Sequence, residues 1–199
     1  MIEVINPSPL KPYLVFLSYY KKALEFNQPN IEAMALSSFS KKLNQTNSRY
    51  VNLKIIDSTD FIFFSNYNSP KARDFIDNNR VSCSFFWQTI NVQIRMNGTI
   101  SKTDSSFSDS YFSERNKEKN ALAISSYQSK VIKSYQLVKD KYKATIKDKN
   151  LNLRPNYWGG FSFKPYYFEF WEGEKHRLNK RTVYENSNNK NWKKYYLEP

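Results

Sequence analysis

An alternating run of apolar and polar residues between Val92 and Thr103 constrains the fold of this chain most strongly. Successive side chains of a β-strand point to opposite faces, so a period of two predicts a strand with one buried face. The apolar face comprises Val92, Ile94, Met96 and Ile100, and the polar face comprises Gln93, Arg95, Asn97 and Thr99. The sequence therefore predicts a strand whose polar face meets water or a ligand.

Helical patterns occupy the start and the middle of the chain. Residues 9–26 place five apolar side chains near one helix face, and prolines at positions 9 and 12 suit a first helical turn. These apolar residues are Leu10, Tyr13, Leu14, Leu17 and Leu24. Residues 70–78 predict a short helix with Ser69 as its cap and Pro70 in its first position. A longer helical pattern covers residues 104–147.

Short β-like runs make up most of the remaining chain. They cover residues 33–39, 50–56, 61–65 and 81–87, and then 160–164, 167–172, 177–184 and 192–197, with a polar turn at 186–191. Many short strands with helices segregated between them favour a mainly β fold, an antiparallel, Greek-key-like barrel decorated by helices. A length of 199 residues suits one domain spanning residues 1–199.

Composition excludes several classes of protein. Cys83 is the only cysteine, which excludes an intrachain disulfide framework and multi-cysteine metal sites and fits a reducing cytoplasm. No apolar run approaches the roughly 18 residues of a membrane helix, and the N-terminal residues lack the order of a signal peptide. The net charge of +13 is spread along the chain. We therefore expect a cytoplasmic protein that binds neither membrane nor nucleic acid.

Several catalytic motifs are absent from the sequence. It contains no glycine-rich phosphate loop and no G-x-S-x-G element. Its single histidine, His176, lies between Lys175 and Arg177 in a predicted turn, where a solvated surface residue is expected. Histidine-based hydrolytic catalysis and a metal site are therefore not predicted.

Polar residues embedded in a predicted strand form the first candidate site. A period of two places Arg177, Asn179 and Arg181 on one face, in a row about 13 Å long at the usual rise of a strand. Such a row favours an anion or a polar ligand. An exposed edge strand, whose charges discourage aggregation, explains the same pattern without a ligand.

A second candidate site lies at the start of the short predicted helix. Lys71 and Arg73 follow its first residue, and Arg49 and Lys54 bracket a nearby apolar strand. Backbone N–H groups at a helix N-terminus attract anions, and adjacent cations strengthen that attraction. The pattern is typical of a phosphate site, although it occurs in many unrelated proteins.

Seven segments together resemble one family, in the right order and at the right spacing. They are SRYVNLK (48–54), FFSNYNSPKARDF (63–75), NVQIRMNG (91–98), SYFSER (110–115), YQS (127–129), WGGF (158–161) and FEFWEGEKHRLNKR (168–181). The chain resembles pyridoxamine 5'-phosphate oxidase, and E-F-W-x-G-x-x-x-R-L-x-x-R is the most specific part of the match.

The resemblance implies a split-barrel homodimer that holds two FMN molecules at the subunit interface. The residues that it assigns to FMN are Arg49, Tyr50, Val51, Asn52, Leu53, Lys54, Phe64, Ser65, Lys71, Gln93, Gln128, Ser129, Trp171 and Arg181. Arg49 and Lys71 would meet the FMN phosphate. Gln93, Trp171 and Arg181 would approach the flavin from the partner chain. These residue types suit a phosphate, which prefers charged donors, and a flat ring, which prefers apolar cover.

The implied reaction oxidises pyridoxine or pyridoxamine 5'-phosphate to pyridoxal 5'-phosphate, with dioxygen as acceptor. The implied substrate contacts are Lys54, Tyr111, Arg115, Lys119, Arg177 and Asn179, and the last two would be catalytic. Three positions depart from the family pattern: Lys119 replaces a serine, Asn179 a histidine, and Pro70 an arginine. Asparagine forms hydrogen bonds but does not titrate near neutral pH.

These departures leave two alternatives to the leading hypothesis. One is a diverged split-barrel flavoenzyme that acts on another aromatic ring, as phenazine-pathway relatives do. The other is a protein that binds flavin or a phosphorylated pyridine with little turnover. The colour of the purified protein and its peroxide release with pyridoxine phosphate distinguish the three hypotheses.

Overall fold

The computed structural model describes residues 1–186 and 191–199. In these residues the chain forms ten strands and five α-helices. The strands are β1 (Glu3–Pro7), β2 (Ala33–Ser40), β3 (Gln45–Asn52), β4 (Ile55–Ser58), β5 (Asp60–Asn66), β6 (Arg80–Trp87), β7 (Val92–Lys102), β8 (Trp158–Glu172), β9 (Lys180–Glu185) and β10 (Lys193–Leu197). The helices are α1 (Lys11–Glu25), α2 (Pro70–Asp77), α3 (Ser105–Glu114), α4 (Lys117–Ser125) and α5 (Tyr135–Asp148).

All ten strands belong to one sheet. Its main path runs β1-β4-β5-β8-β7-β6-β2-β3, and β9 and β10 extend from the second half of β8. Among the described strands only β1 and β4 pair in parallel, and this path of strands does not close on itself. The predicted antiparallel, mainly β architecture with helices is therefore confirmed.

Helix α1 packs aromatic side chains onto the sheet. Phe16 is fully buried, with its ring centroid 5.0 Å from that of Phe61 and 5.5 Å from that of Trp87. Edge-to-face contacts of this kind stabilise a core beyond the burial of area alone. The helix itself was predicted correctly, and Tyr13, Leu17 and Leu24 of its predicted apolar face pack in or against the core. The prediction was wrong for Leu10 and Leu14, which are 41% and 45% exposed. The buried face instead carries Pro12, Tyr13, Phe16, Tyr20 and Ala23.

Strand β8 is continuous through Pro165, where the sequence predicted two strands. Its register with β7 shifts between Asn97 and Gly98, so that Gly98 pairs with Pro165 and Asn97 with Tyr167. A bulge tolerates proline because the ladder is already interrupted there. A Cβ atom at Gly98 would lie 2.4 Å from the Lys164 carbonyl oxygen, so only glycine fits opposite the bulge.

Two other predicted strands have different bounds in the structure. The predicted run 50–56 is split, since β3 ends at Asn52 and β4 begins at Ile55. The predicted run 177–184 begins too early, since residues 175–177 form a 3-10 turn and β9 starts at Lys180. The predicted polar turn at 186–191 lies mostly outside the described residues.

The helical middle of the chain was predicted correctly. It contains α3, α4 and α5, and α3 packs against β8 through residues such as Phe112, which is fully buried. In the described part of the chain, none of the helices has the length and apolar character needed to cross a membrane.

Candidate functional site

A cavity of about 630 Å³ lies where β3, β5, the start of α2 and the end of α3 meet. Twelve residues that the resemblance assigns to FMN or substrate line it. They are Arg49, Tyr50, Val51, Asn52, Lys54, Phe64, Ser65, Lys71, Tyr111, Arg115, Gln128 and Ser129. Segments that are far apart in the chain are therefore brought to one concave surface, as ligand sites require.

Two cations lie at one end of the cavity. The Lys71 ammonium is buried at the first turn of α2, and its hydrogen bond goes to the Ser69 hydroxyl at 3.4 Å. The Arg49 guanidinium on β3 donates to the Ser38 hydroxyl at 2.8 Å and lies 3.9 Å from the Asp74 carboxylate. Asp74 pairs with Arg49 alone, so this end of the cavity carries a net positive charge.

Burial alters the acid–base properties of this cationic end. Burial, and then the nearby charge of Arg49, lowers the pKa of Lys71 from 10.5 to about 8. Burial also lowers the pKa of Arg49, and the Asp74 carboxylate opposes that change. An ammonium held in these surroundings is poorly solvated. An anion placed between Lys71 and Arg49 would therefore be bound by charge-assisted hydrogen bonds.

Aromatic side chains form another wall of the cavity. The Tyr111 ring stacks on Phe64 with centroids 3.6 Å apart, and Trp158 stacks on the same phenylalanine at 5.4 Å. The Arg115 guanidinium lies over the Trp158 ring at 4.9 Å and donates to the Asn120 side chain at 3.1 Å. Nearly parallel rings beside a cation provide a surface suited to a flat, anionic ligand.

Lys54 and Leu53 follow the end of β3 and have separate roles in the structure. The Lys54 ammonium donates to the Glu32 carboxylate at 2.6 Å while lining the cavity. This contact lowers the pKa of Glu32. Leu53 is fully buried and is absent from the cavity lining. Its side chain therefore packs in the core, and the assignment of Leu53 to FMN remains a prediction.

Lys119 and Gln128 border the cavity from the side of α4. Lys119 lines an adjoining space of about 320 Å³ that shares Phe64, Arg115 and Trp158 with the main cavity. The Ser65 hydroxyl donates to the Gln128 side chain at 3.4 Å, and Ser129 adopts a left-handed backbone conformation with φ of 65°. The replaced serine position thus places a cation beside the main cavity and outside its lining.

Three predicted flavin residues form a row elsewhere on the sheet. Gln93 pairs with Trp171 across β7 and β8, and Trp171 pairs with Arg181 across β8 and β9. None of the three lines the cavity. The sheet register therefore brings them together at a separate place on the same chain, as expected for residues that would serve a partner chain's site.

Arg177 and Asn179 do not share a strand face with Arg181, and this prediction was wrong. Arg177 ends the 3-10 turn with φ of 62°, directly after His176 with φ of 58°. The Asn179 side chain accepts a hydrogen bond from the Glu174 backbone N–H at 3.1 Å. Strand β8 ends at Glu172 and β9 begins only at Lys180, so the period of two does not extend back to residue 177. Asn179 therefore stabilises the turn, and Arg177 is exposed upon it.

Asn179→Ala is expected to destabilise this turn because Ala cannot accept the Glu174 N–H. Loss of one such side-chain cap lowers the free energy of unfolding by about 1 kcal/mol. Asn179→Asp keeps an acceptor oxygen and serves as the matched control. Urea unfolding of both variants measures the difference, and equal stability would contradict this role of the amide.

Sequence reasoning missed three side chains that contact the predicted residues. Asp74 faces Arg49 and lies three residues after Lys71, so helical spacing was an available signal. Trp158 belongs to the WGGF segment, but its contact with Arg115 depends on the packing of α3 against β8. Glu32 contacts Lys54 from 22 positions away, and no local pattern indicates that pair.

A metal is not supported by the described side chains. Residues 1–186 and 191–199 contain no group of three or more His, Cys, Asp or Glu side chains placed to hold a metal ion. Cys83 is a buried free thiol on β6, and burial raises its pKa well above the usual value.

The sequence matches two family models that cover most of the chain. Residues 21–147 match "Pyridoxamine 5'-phosphate oxidase", and residues 158–199 match "Pyridoxine 5'-phosphate oxidase C-terminal dimerisation region". The chain is also 34% identical to pyridoxine/pyridoxamine 5'-phosphate oxidase 1 of Hydrogenovibrio crunogenus over 94% of this chain and 88% of that protein. The chain belongs to the pyridoxamine 5'-phosphate oxidase family. It is thus an oxidoreductase by family.

A second relative agrees with this membership, and two solved structures share the fold. The pyridoxine/pyridoxamine 5'-phosphate oxidase of Christiangramia forsetii is 36% identical over 96% of this chain and 90% of its own length. The structure of PhzG from Burkholderia lata 383, in complex with tetrahydrophenazine-1-carboxylic acid, matches with a TM-score of 0.88 at 23% identity, covering 96% of this chain and 94% of PhzG. An FMN-binding protein from Nostoc punctiforme matches with a TM-score of 0.78 at 13% identity, covering 96% and 99%. The predicted split-barrel fold is confirmed.

Pro70→Arg is expected to strengthen anion binding at the cationic end. Pro70 lines the cavity beside Lys71, at the position where the family resemblance implies an arginine. A third cation there should lower the FMN dissociation constant about tenfold in low salt, and added salt should reduce the gain. Asn68→Arg adds the same charge to a residue outside the cavity lining. FMN fluorescence titration measures both variants, and an equal gain in Asn68→Arg would point to long-range attraction alone.

Proposed function

We propose that this protein is an FMN-dependent oxidase that converts pyridoxine or pyridoxamine 5'-phosphate to pyridoxal 5'-phosphate with dioxygen as acceptor. The observation that carries the proposal is the pair of cations, buried Lys71 and half-buried Arg49, at one end of a cavity whose other wall is aromatic. This arrangement matches a ligand with a phosphate at one end and a flat ring system at the other.

The cofactor is FMN, and the chain's residues fit it. Lys71 is buried and hydrogen-bonded to the Ser69 hydroxyl, so its charge suits the FMN phosphate. Asp74 and Ser38 orient the Arg49 side chain toward the same place. Held by these residues, FMN would supply the redox chemistry, namely uptake of a hydride from the 4' carbon of the substrate and return to the oxidised form with dioxygen, which would leave as peroxide.

The protein acts as a homodimer with two FMN sites at the interface. Residues 158–199 match the family's dimerisation region, and this segment contains Trp171 and Arg181. These two residues and Gln93 form a row away from the cavity of their own chain. In the dimer they complete the site of the partner subunit, and each chain functions as a single domain.

Substrate binding relies on the cations and rings around Tyr111. Arg115 lies over Trp158 and binds the substrate phosphate together with the Tyr111 hydroxyl. Lys54 adds a further cation when it is released from Glu32. Arg177, exposed on its turn, covers the outer face of the pyridine from the end of β9. These residues position the pyridine ring against the flavin, and this positioning accelerates the reaction.

One observation favours a second candidate, a flavoenzyme acting on another aromatic substrate. Lys54 is paired with Glu32, Lys119 is outside the main cavity, and Asn179 is occupied by the turn. Two of the positions assigned to a phosphorylated pyridine thus contact other groups, and a third lies beside the main cavity. PhzG, the structural neighbour from Burkholderia lata, was solved with a tricyclic acid.

FMN titration followed by a peroxide assay tests the proposal. The purified protein should bind one FMN per chain and sediment as a dimer. Pyridoxine 5'-phosphate should then reduce the bound flavin without oxygen and release peroxide in air. Flavin reduction by a tricyclic aromatic acid alone would support the second candidate. Bound flavin that neither substrate reduces would contradict both and indicate a flavin-binding protein.

A further inference from the structure

A buried carboxylate lies in the middle of the sheet, next to the row of Gln93, Trp171 and Arg181. Glu169 on β8 is 2% exposed and lies directly opposite Arg95 of β7. One carboxylate oxygen accepts from Arg181, and the other accepts from Arg95 at 2.8 Å and from the Tyr167 hydroxyl at 3.1 Å. A buried charge is stable only when it is paired and hydrogen-bonded, and both oxygens of Glu169 meet that condition.

Glu169 fixes the orientation of the Arg181 guanidinium. The Nε and Nη2 atoms of Arg181 both lie 2.8 Å from the same Glu169 oxygen, and Nη1 donates to the Glu198 carbonyl oxygen at 2.9 Å. Three nitrogens of a planar group are thus held, so the plane of the guanidinium cannot rotate freely. Trp171, the register partner of Arg181, lies two residues after Glu169 on the same strand face.

We propose that Glu169 is a positioning residue that aims Arg181 at the flavin of the partner subunit. The proposal rests on the proposed function, which assigns Arg181 to that flavin. Glu169 acts through Arg181, and Arg95 saturates the second carboxylate oxygen so that the first remains directed at Arg181.

Glu169→Gln keeps the size of the side chain but removes its charge. A glutamine offers one acceptor oxygen in place of two, and its amide N–H groups would face arginine donors. Arg181 should therefore lose its orientation. We expect an increase of about tenfold in the FMN dissociation constant, which is typical of removing the partner that orients a ligand-binding side chain.

The midpoint potential of the bound flavin distinguishes positioning from simple charge. Removing a negative charge near the flavin would by itself raise the potential, whereas displacing a nearby cation lowers it, because the cation favours the reduced, anionic flavin. We therefore expect both Glu169→Gln and Arg181→Gln to lower the potential. Glu172→Gln removes a carboxylate of the same strand that pairs with Lys180, and it should leave the potential unchanged.

A double-mutant cycle tests whether Glu169 acts through Arg181. In the Arg181→Gln background, Glu169→Gln should no longer lower the potential or raise the dissociation constant, because the side chain that it positions is gone. An equal effect in both backgrounds would overturn the proposal. A raised potential in Glu169→Gln alone would also overturn it and would indicate an effect of charge.

A measurement on the flavin-free protein keeps the proposal testable if Glu169→Gln fails to fold. The 15N NMR signal of the Arg181 Nε–H group can be assigned because Arg181→Lys removes it. In the wild type this proton should exchange slowly with water. Rapid exchange would overturn the proposal even if the protein binds FMN. A wild-type protein that binds no FMN would instead contradict the proposed function. Slow exchange in that protein would still confirm the contact between Glu169 and Arg181.

Discussion

Replacing Lys71 with methionine is expected to stabilise the flavin-free protein while weakening its binding of FMN. Folding lowers the pKa of Lys71 from 10.5 to about 8, mainly because the ammonium is buried. This shift corresponds to a penalty of about 3 kcal/mol in the free energy of unfolding, present wherever both states are protonated. Methionine has no charge to desolvate, so Lys71→Met should regain up to that amount at pH 7.

The same substitution should raise the FMN dissociation constant by roughly 10- to 100-fold. A buried, charge-assisted contact with a phosphate contributes about 1.5–3 kcal/mol, and methionine cannot form one. Arg73→Met is the matched control, because Arg73 is an exposed cation two residues further along α2. Arg73→Met should change neither the free energy of unfolding nor the FMN dissociation constant much. Urea unfolding without flavin and FMN fluorescence titration measure the two effects, and destabilisation by Lys71→Met would contradict the assigned penalty.

The pH dependence of stability provides an independent check on Lys71. Below about pH 8 both the folded and the unfolded chain hold the proton, so the penalty is fully present. Between about pH 8 and 10.5 the folded chain has released a proton that the unfolded chain keeps, so this group makes stability rise with pH. The difference in unfolding free energy between wild type and Lys71→Met should therefore shrink across this range.

Arg177→Ala is expected to lower kcat/KM for pyridoxine 5'-phosphate about 100-fold and to leave FMN affinity unchanged. Arg177 and His176 both hold left-handed backbone conformations that disfavour residues other than glycine, and hydrogen bonds at Asn179 and Leu178 maintain the turn. Such strain is typical of functional turns. Losing a group that positions the substrate costs turnover without affecting the cofactor.

Two further variants separate the side chain of Arg177 from its backbone. Arg177→Gly removes the guanidinium and relieves the left-handed conformation, so it should be more stable than Arg177→Ala but equally slow. Lys175→Ala removes an exposed cation of the same turn and should retain turnover. Stopped-flow experiments without oxygen measure the rate of flavin reduction in all three variants. Normal reduction by Arg177→Ala would remove Arg177 from the site.

The sequence alone predicted the features that depend on local pattern. The alternation in β7, the proline-started helix α2 and the helical middle of the chain follow from periods and caps, which involve residues a few positions apart. The ordered motifs also identified the family and named most residues that line the cavity. In β7 the apolar residues lie on the face that the fold buries. A local sequence pattern predicts the structure correctly when the two agree in this way.

Only the tertiary structure decided which charged side chains are buried and which ion pairs they form. Lys71 is buried because α2 packs against β2, and Arg49 reaches Asp74 across 25 positions of sequence. Glu169 meets Arg95 and Arg181 because of the register of three strands. The turn at Arg177 was also not predicted from the sequence. The alternation of residues 177, 179 and 181 suggests a strand, but in the structure residues 175–177 form a 3-10 turn. Such contacts arise from the packing of distant segments, and no local period encodes them.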